Sequence, residues 1–375
     1  MALSLEEIRR YDRQILLPEL GLEGQEMLKQ AKVLMIGCGG LGSPVLLYLA
    51  AAGVGTLGIV EDDTIALSNL QRQILYSSDK VGLSKLQEAE NRLKELNPSV
   101  TIHKYETRLT SANALAIIKD YDIVVDGTDN FPTRYLVNDA CVILNKPFVY
   151  GAIHRFEGQV AVFNYQGSST YRDLFPTPPP PEQAPNCAEA GVLGVLPGII
   201  GSMQALEAIK VIAEIGEPLV GKLLMLDTLS MQSRMLKIPK IPGALKIDKL
   251  IDYELFCGVS AVNKENDEIN YDEYLTLVAN AKYGKESSFQ LIDVREQYEF
   301  NTYNIGGELM PFSELEKHIP KIRRDKTVII HCQSGIRSRR AINLLREQYG
   351  YTNLLNFAGG LNAMSDAPNR YVGPP

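Results

Sequence analysis

Residues 33–42, Val-Leu-Met-Ile-Gly-Cys-Gly-Gly-Leu-Gly, leave few folds open. Four apolar residues ending at Gly37 predict a short buried strand. Gly37, Gly39 and Gly42 fit G-x-G-x-x-G, and Leu41 to Ala52 predicts a helix with Gly53 past its end. Strand, glycine turn and helix form the ground plan of a nucleotide-binding βαβ unit. Backbone without a Cβ can approach phosphates closely, and a helix N-terminus offers free N–H groups at the positive end of its dipole. A second strand, Leu57 to Val60, ends at Glu61, where an acidic side chain would hold a ribose hydroxyl. The fingerprint points to an adenine nucleotide and does not separate NAD, FAD, SAM and ATP. A glycine turn that only packs helix on sheet is the plainer alternative.

At 375 residues, two domains are the natural expectation. A net charge of −7 with no long basic run and no interleaving of basic and aromatic residues argues against a nucleic-acid partner. The five cysteines, Cys38, Cys141, Cys187, Cys257 and Cys332, are odd in number and scattered, which fits buried or reactive thiols in a reducing compartment rather than a disulfide frame. The N-terminus lacks the apolar core of a signal peptide. The apolar stretches 44–60 and 191–206 are interrupted by Gly, Pro, Thr or Gln and read as core elements rather than membrane spans. A cytoplasmic location is expected.

Residues 5–30 predict helix, with Arg13 ahead of the first strand. After the second strand, Ser68-Asn69-Leu70-Gln71-Arg72-Gln73 offers hydrogen-bonding side chains for a ribose or triphosphate, and Arg72 can fork onto phosphate oxygens. Lys85 opens an amphipathic helix that stops at Asn97-Pro98. Strand 100–105, helix 111–119 and strand 122–126 continue the alternation, which implies a parallel sheet covered on both faces. Asp129 and Asn130 follow the carboxyl end of that last strand, where ligands bind in open α/β sheets; a carboxylate there can hold Mg²⁺. Capping the helix that begins near Phe131-Pro132 is a rival use for either residue. Helix 131–144, strand 148–150 and an antiparallel strand 158–165 come next. Six prolines between Pro176 and Pro185 predict a loop 166–187 without packed structure. Cys187 ends it, just before a helix at about 195–214, a setting that favours thiolate. Strand 223–226 is expected to close the first domain, and the Pro- and Gly-bearing stretch from 237 to begin a linker.

The second domain holds strands 289–294 and 327–330. The latter runs into Cys332-Gln333-Ser334-Gly335-Ile336-Arg337-Ser338 and a helix to about Gln348. A cysteine between a strand end and a helix start sits in a cradle of backbone N–H groups, with Arg337 adding charge, which suits a thiolate or persulfide anion. A cysteine phosphatase would need Arg six places after the cysteine, where Ser338 stands.

Taken in order, Arg13, Gly-Cys-Gly-Gly-Leu-Gly (37–42), Ser-Asn-Leu-Gln-Arg-Gln (68–73), Lys85, Thr-Asp-Asn (128–130) and Cys-Ala-Glu-Ala-Gly (187–191) resemble the MoeB/ThiF family, the activating enzymes of ubiquitin-like sulfur carriers. Asp293-Val294-Arg295, Cys332-x-x-Gly-x-Arg-Ser and Gly359-Gly360-Leu361 resemble a rhodanese domain. The resemblance implies an α/β architecture: a Rossmann-like, doubly wound, mostly parallel sheet over 1–245, a linker over 246–265, and a smaller α/β rhodanese-like domain over 266–375. It implies that ATP–Mg²⁺ is held by Gly37, Gly39, Gly40, Gly42, Glu61, Ser68, Asn69, Leu70, Gln71, Arg72, Lys85, Asp129 and Asn130, with Asp129 on the metal. Arg13 would come from the other subunit of a homodimer. The carboxylate of a carrier ending in Gly-Gly would be adenylated. Cys332, charged with sulfur by a cysteine desulfurase or another sulfane-sulfur donor, would attack it, Cys187 would link to the carrier or resolve the disulfide, and a thiocarboxylate would result. Molybdopterin, thiamine and tRNA thiolation pathways all use this chemistry.

Many relatives carry two C-x-x-C pairs for a structural zinc. Here the first pair would fall at Thr170 and Asp173, and 240–247 contains no cysteine, so no structural zinc is expected and the 166–186 loop should be less restrained. The alternative function is an NAD(P)-dependent oxidoreductase with a passenger rhodanese-like module, which would leave 68–73, Asp129 and Cys332 without roles.

Overall fold

A computed structural model describes residues 2–179, 191–241, 247–257, 267–283 and 289–365. The chain divides into two compact units, Met1–Val259 and Ser260–Pro375.

In the first unit, α1 (Leu5–Ile15) starts at a capping box in which Ser4 and Glu7 bond each other's backbone N–H groups, and α2 (Gly21–Gln30) follows. Next come β1 (Lys32–Ile36), α3 (Gly42–Ala52), β2 (Thr56–Val60), α4 (Lys85–Leu96), β3 (Thr101–Tyr105), α5 (Ala114–Ile118), β4 (Ile123–Asp126), α6 (Phe131–Leu144), β5 (Phe148–His154), β6 (Glu157–Phe163), α7 (Tyr171–Leu174), α8 (Leu196–Ala213), β7 (Lys222–Asp227), β8 (Gln232–Lys237) and α9 (Tyr253–Phe256). The sheet runs β3-β2-β1-β4-β5-β6-β7-β8, parallel through β5 and antiparallel beyond it. Strand order reverses at β1, so the turn after β1 opens into the crevice between β1 and β4.

Both faces of the parallel part are covered, which is why its strands read as unbroken apolar runs. Val33 and Met35 pack with α2, α3, α4 and α8, whereas Leu34 and Ile36 pack with α5 and α6. By length and composition α8 is apolar enough to cross a membrane, yet Leu196, Ile200, Ala205, Ala208 and Val211 are buried against α3 and the sheet. It is the core helix expected from 191–206.

Three expectations need correction. Strand β7 does not close the unit: β8 adds an edge strand whose six residues are all exposed, so no apolar alternation announced it. Part of the expected linker, 247–257, is packed structure. Tyr253 and Cys257 are buried in the first unit's core, and the Tyr253 hydroxyl donates to Asp139 Oδ2 at 2.7 Å. Finally, the start of the proline-rich loop is ordered by its own side chains. Tyr171 is fully buried, Arg172 forks onto Asp139 at 2.8 and 2.8 Å, and α7 follows a Thr170–Asp173 capping box. Prolines constrain only the residues they touch, and this segment precedes them.

The second unit contains β9 (Glu268–Ile269), α10 (Tyr271–Tyr283), β10 (Phe289–Asp293), α11 (Gln297–Thr302), β11 (Glu308–Leu309), α12 (Leu315–His318), β12 (Thr327–His331), α13 (Ile336–Tyr349), β13 (Leu354–Phe357) and α14 (Asn362–Ser365). Its all-parallel sheet has the order β11-β10-β12-β13-β9. Apolar clusters cover both faces, and β12 sits centrally with Val328, Ile329 and Ile330 fully buried.

Candidate functional site

The first site is the crevice beyond β1, β2 and β4. A Cβ on Gly42 would collide with the Gly37 carbonyl, so glycine is required for α3 to start this close to its strand. At Gly40 an added Cβ would lie 3.6 Å from Arg72 Cδ, and at Gly39 one would lie 3.4 Å from Gln73 Nε2; the 68–73 segment therefore borders the glycine turn. Ser68, Asn69 and Leu70 lie in or just after a 3₁₀ turn, Leu67–Asn69, and Ser68 and Gln71 are exposed. Arg72 donates from Nη1 to the Ser68 carbonyl at 3.1 Å and remains half-buried.

Glu61 departs from a free ribose acceptor. It is 8% exposed and its oxygens are taken by backbone: Oε2 accepts from Cys38 N–H at 3.0 Å, and Oε1 from Asp62 and Asp63 N–H at 3.1 Å each. Lys85 opens α4 with its side chain buried and donates to Asp63 Oδ2 at 2.9 Å. Sequence reasoning missed Asp63, which holds the lysine in the site. Cys38 is fully buried, with the Tyr76 hydroxyl donating to its carbonyl at 2.8 Å and lying 2.9 Å from its sulfur. Burial and the neighbouring Glu61 push the Cys38 thiol well up, so it is an inert packing group.

Beyond β4 the two candidates separate. Asn130 caps α6, its Oδ1 accepting from Thr133 N–H at 2.9 Å. Asp129 is exposed and makes no hydrogen bond or ion pair among the described residues. Beneath them lies an unforeseen buried network. Asp126 accepts from the Thr128 N–H and hydroxyl at 2.9 and 2.7 Å, Arg134 Nη2 donates to the Thr128 carbonyl at 2.9 Å, and Gln204 donates to the Asp126 carbonyl at 2.7 Å. Burial raises the Asp126 carboxyl despite Arg134, whose Nε is 3.8 Å away. Gln204 had a sequence signal, being polar in an apolar helix.

Arg13 is not brought to this crevice. Its side chain is 90% exposed and pairs with Asp12 at 3.4 Å. Nearby Tyr11 packs against Gly53, at the far end of α3 from the glycine turn, about 16 Å along the helix. Cys187 lies outside the described residues.

A tetrahedral zinc site of thiolates does not fit the first unit's donors at 170 and 173. Asp173 Oδ2 accepts from the Thr170 N–H and hydroxyl at 2.7 and 2.9 Å, and Oδ1 accepts from Ile241 N–H at 2.8 Å. The described part of the 166–186 loop, expected to be less restrained, is thus tied to residue 241 by a carboxylate.

The second site surrounds Cys332, at the end of β12. The residue is fully buried at the floor of the 333–338 loop. Gly335 N–H donates to Sγ at 3.2 Å. Ser338 Oγ lies 3.5 Å from Sγ, and its single proton goes to Asn356 Oδ1 at 2.7 Å. Gln333 donates to Asn362 Oδ1 at 2.7 Å and takes a longer contact from Arg295, 3.4 Å. The turn at Gly360 presses on the loop so closely that a Cβ there would meet the Cys332 carbonyl and Gly335 N. Ser334 is half-buried, Ile336 is exposed, and Arg337 is bound by Glu299, a partner sequence reasoning missed.

Comparison with known proteins finds a family match for each part of the chain. The ThiF family model matches residues 11–244 and the rhodanese-like domain model residues 276–367. A Mycobacterium tuberculosis protein described as a probable adenylyltransferase/sulfurtransferase MoeZ is 43% identical over 373 residues, covering 96% of this chain and 94% of the relative. A Thermus thermophilus sulfur carrier protein adenylyltransferase is 52% identical over 270 residues, covering 69% of this chain and 100% of the relative. The adenylyltransferase and sulfurtransferase MOCS3 of Drosophila sechellia is 42% identical, covering 96% and 83%. Among solved structures, Escherichia coli MccB with ATP shares the fold, with a TM-score of 0.56 and 22% identity over 63% of this chain and 73% of that one. The chain therefore belongs to the ThiF family and carries a C-terminal rhodanese-like domain.

Proposed function

We propose that the chain adenylates the C-terminal glycine of a ubiquitin-like sulfur carrier with ATP and then converts the activated carboxylate to a thiocarboxylate with sulfur carried on Cys332. One observation carries this reading. An exposed Asp129 with no hydrogen-bond or ion-pair partner among the described residues, following the Gly127-Thr128 stretch that borders Gly37 of the glycine turn, and a cysteine with a backbone N–H aimed at its sulfur, occur in one chain. Near full-length relatives named as adenylyltransferase/sulfurtransferases support it.

In the first step the carrier carboxylate attacks the α-phosphorus of ATP, an acyl-phosphate bond forms and pyrophosphate leaves. Asp129 is the residue to hold Mg²⁺, which when bound would offset charge on the phosphates. Arg72 and Lys85 line the same crevice, where they would neutralise the leaving pyrophosphate. Asp129 fits the metal because its carboxylate has no competing partner among the described residues. Arg13 is turned away from its own crevice, which favours a role across a homodimer.

In the second step the Cys332 persulfide attacks the acyl-adenylate, giving an acyl disulfide and AMP. A second thiolate, for which Cys187 is the candidate, then attacks the Cys332 sulfur, forming a disulfide and releasing the carrier thiocarboxylate; a cellular thiol reductant resets the pair. The sulfur comes from a persulfide or other sulfane-sulfur donor. A cytoplasmic setting, where thiols stay reduced, suits this cycle. We further propose that the first activity belongs to the unit that includes the packed 247–257 segment, rather than ending at 245, and the second to 266–375.

The test is ATP–pyrophosphate exchange with a carrier ending in Gly-Gly. Asp129→Ala should abolish exchange, whereas Cys332→Ala should preserve it and lose only thiocarboxylate. Equal loss in both variants would refute the division of labour.

A further inference from the structure

The guanidinium groups flanking the Cys332 loop are held by carboxylates. Arg295 reaches Asp293 Oδ2 from Nε and Nη2 at 3.0 and 2.7 Å, and Arg339 pairs with Glu268. Arg337 is the arginine within the loop itself, five residues after the cysteine. Its Nη1 and Nη2 donate to the two oxygens of Glu299 at 2.6 and 2.7 Å, fork to fork. The two side chains are 16% and 17% exposed, so water competes little for the pair. Glu299 is itself fixed, since Oε2 also accepts from Glu296 N–H at 3.0 Å in the first turn of α11.

Exposed apolar side chains stand next to this pair in the chain, among exposed polar ones such as Gln297 and Gln333. Tyr298 and Ile336, chain neighbours of Glu299 and Arg337, are 71% and 42% exposed. Tyr303, whose carbonyl accepts from Arg295 Nη2 at 2.7 Å, is 49% exposed. These three are the exposed large apolar side chains among the described residues of the second unit.

Thiosulfate and a persulfide load a cysteine by the same exchange. The Cys332 thiolate attacks the sulfane sulfur, a new S–S bond forms as the donor's breaks, and the electron pair leaves on sulfite or on the donor thiolate. No outside oxidant or reductant is consumed. The donors differ in what must be held. Thiosulfate and departing sulfite are dianions whose oxygens call for a free forked cation. A persulfide leaves as a single thiolate attached to carbon and needs none.

We propose that Glu299 is a specificity-determining residue: by occupying the Arg337 fork it withholds that cation from an anionic donor, so that Cys332 takes sulfur from a persulfide in preference to inorganic thiosulfate. This rests on reading Cys332 as the sulfur acceptor.

The experiment uses the full chain with sodium thiosulfate or cysteine persulfide as donor. Loading is followed as the gain of one sulfur by intact mass, with Cys332→Ser as blank. The quantity read is the ratio of the two second-order loading rates. Glu299→Gln, which removes the charge and keeps the shape, should raise the thiosulfate-to-persulfide ratio about tenfold, the scale of one charge-assisted hydrogen bond. Glu299→Asp, which keeps a carboxylate beside Arg337, should hold the ratio low. An unchanged or lower ratio in Glu299→Gln overturns the proposal. So does an equal rise in both variants, which would make packing the cause. If Glu299→Gln does not fold, the Asp variant decides alone: a ratio near that of the parent supports the proposal and a rise overturns it. Loading from neither donor in the parent chain would instead strike the reading of Cys332 itself.

Discussion

The Glu61 carboxylate accepts the Cys38 backbone N–H at 3.0 Å and so ties the end of β2 to the glycine turn after β1. An acidic residue at this position reads, from sequence, as a ribose ligand. In the fold it is first a clamp, because its other oxygen also holds the Asp62 and Asp63 N–H groups. Glu61→Ala would leave three donors without their acceptor. The expected loss is about 2–3 kcal/mol of stability, together with weaker ATP binding. Urea unfolding and ATP titration measure the two, and a variant with normal stability would show that the clamp contributes nothing.

Adjacent residues beyond β4 divide the work. Asn130→Ala removes the α6 cap and should cost about 1 kcal/mol, with pyrophosphate exchange largely kept. Asp129→Asn should leave the melting temperature in place and remove exchange. Melting curves and exchange rates on the two variants separate capping from metal binding; the reverse pattern would exchange their roles.

His331 is fully buried beside Asp293 at 3.9 Å, and neither ring nitrogen has a hydrogen-bond partner among the described residues. Burial depresses it from its usual 6.5 to about 4. The unfolded chain therefore binds the extra proton more readily. Stability from the neutral ring is complete above about pH 6.5 and is lost as pH falls toward 4, by up to about 3 kcal/mol. Hydrogen-exchange protection of the β12 amides should fall between pH 7 and 5. His331→Leu should flatten that dependence, and an equally steep decline in the variant would place its origin elsewhere.

Asp173 bridges α7 and the backbone at Ile241 without thiolate ligands. The purified protein should hold no stoichiometric zinc, and a chelator should not move its melting temperature. Asp173→Ala should speed proteolysis within 166–179. Zinc bound at one per chain, or a chelator-sensitive melt, would contradict this account.

Tyr253 places the 247–257 segment with the first unit through its bond to Asp139, which Arg172 also grips. A fragment ending at 257 should melt above one ending at 245. Tyr253→Phe in the longer fragment should cost about 1 kcal/mol, measured by urea unfolding.

Much of this was legible because it is local. Glycine spacing, apolar runs alternating with amphipathic stretches, and a cysteine between strand and helix report the backbone path within a few residues. They place β1, α3, α6, α8 and β12 and mark the two sites. Missed elements lacked a local signal: β8 is exposed along its length, and α9 has four residues. The short range of such signals also explains why Asp129 and Asn130 could not be told apart, since both can cap or ligate until a rotamer is fixed.

By itself, then, the sequence determined two α/β units, a nucleotide-type turn at 37–42 and a cradled Cys332, because turn chemistry and hydrophobic period are properties of neighbouring residues. Only the tertiary structure decided what the charged side chains do. Glu61 with Cys38, Lys85 with Asp63, Tyr253 with Asp139 and Arg337 with Glu299 are pairs 22 to 114 residues apart. A carboxylate becomes a clamp, a ligand or a counter-ion according to which group the packed sheet brings within about 3 Å of it, and that distance is set by topology.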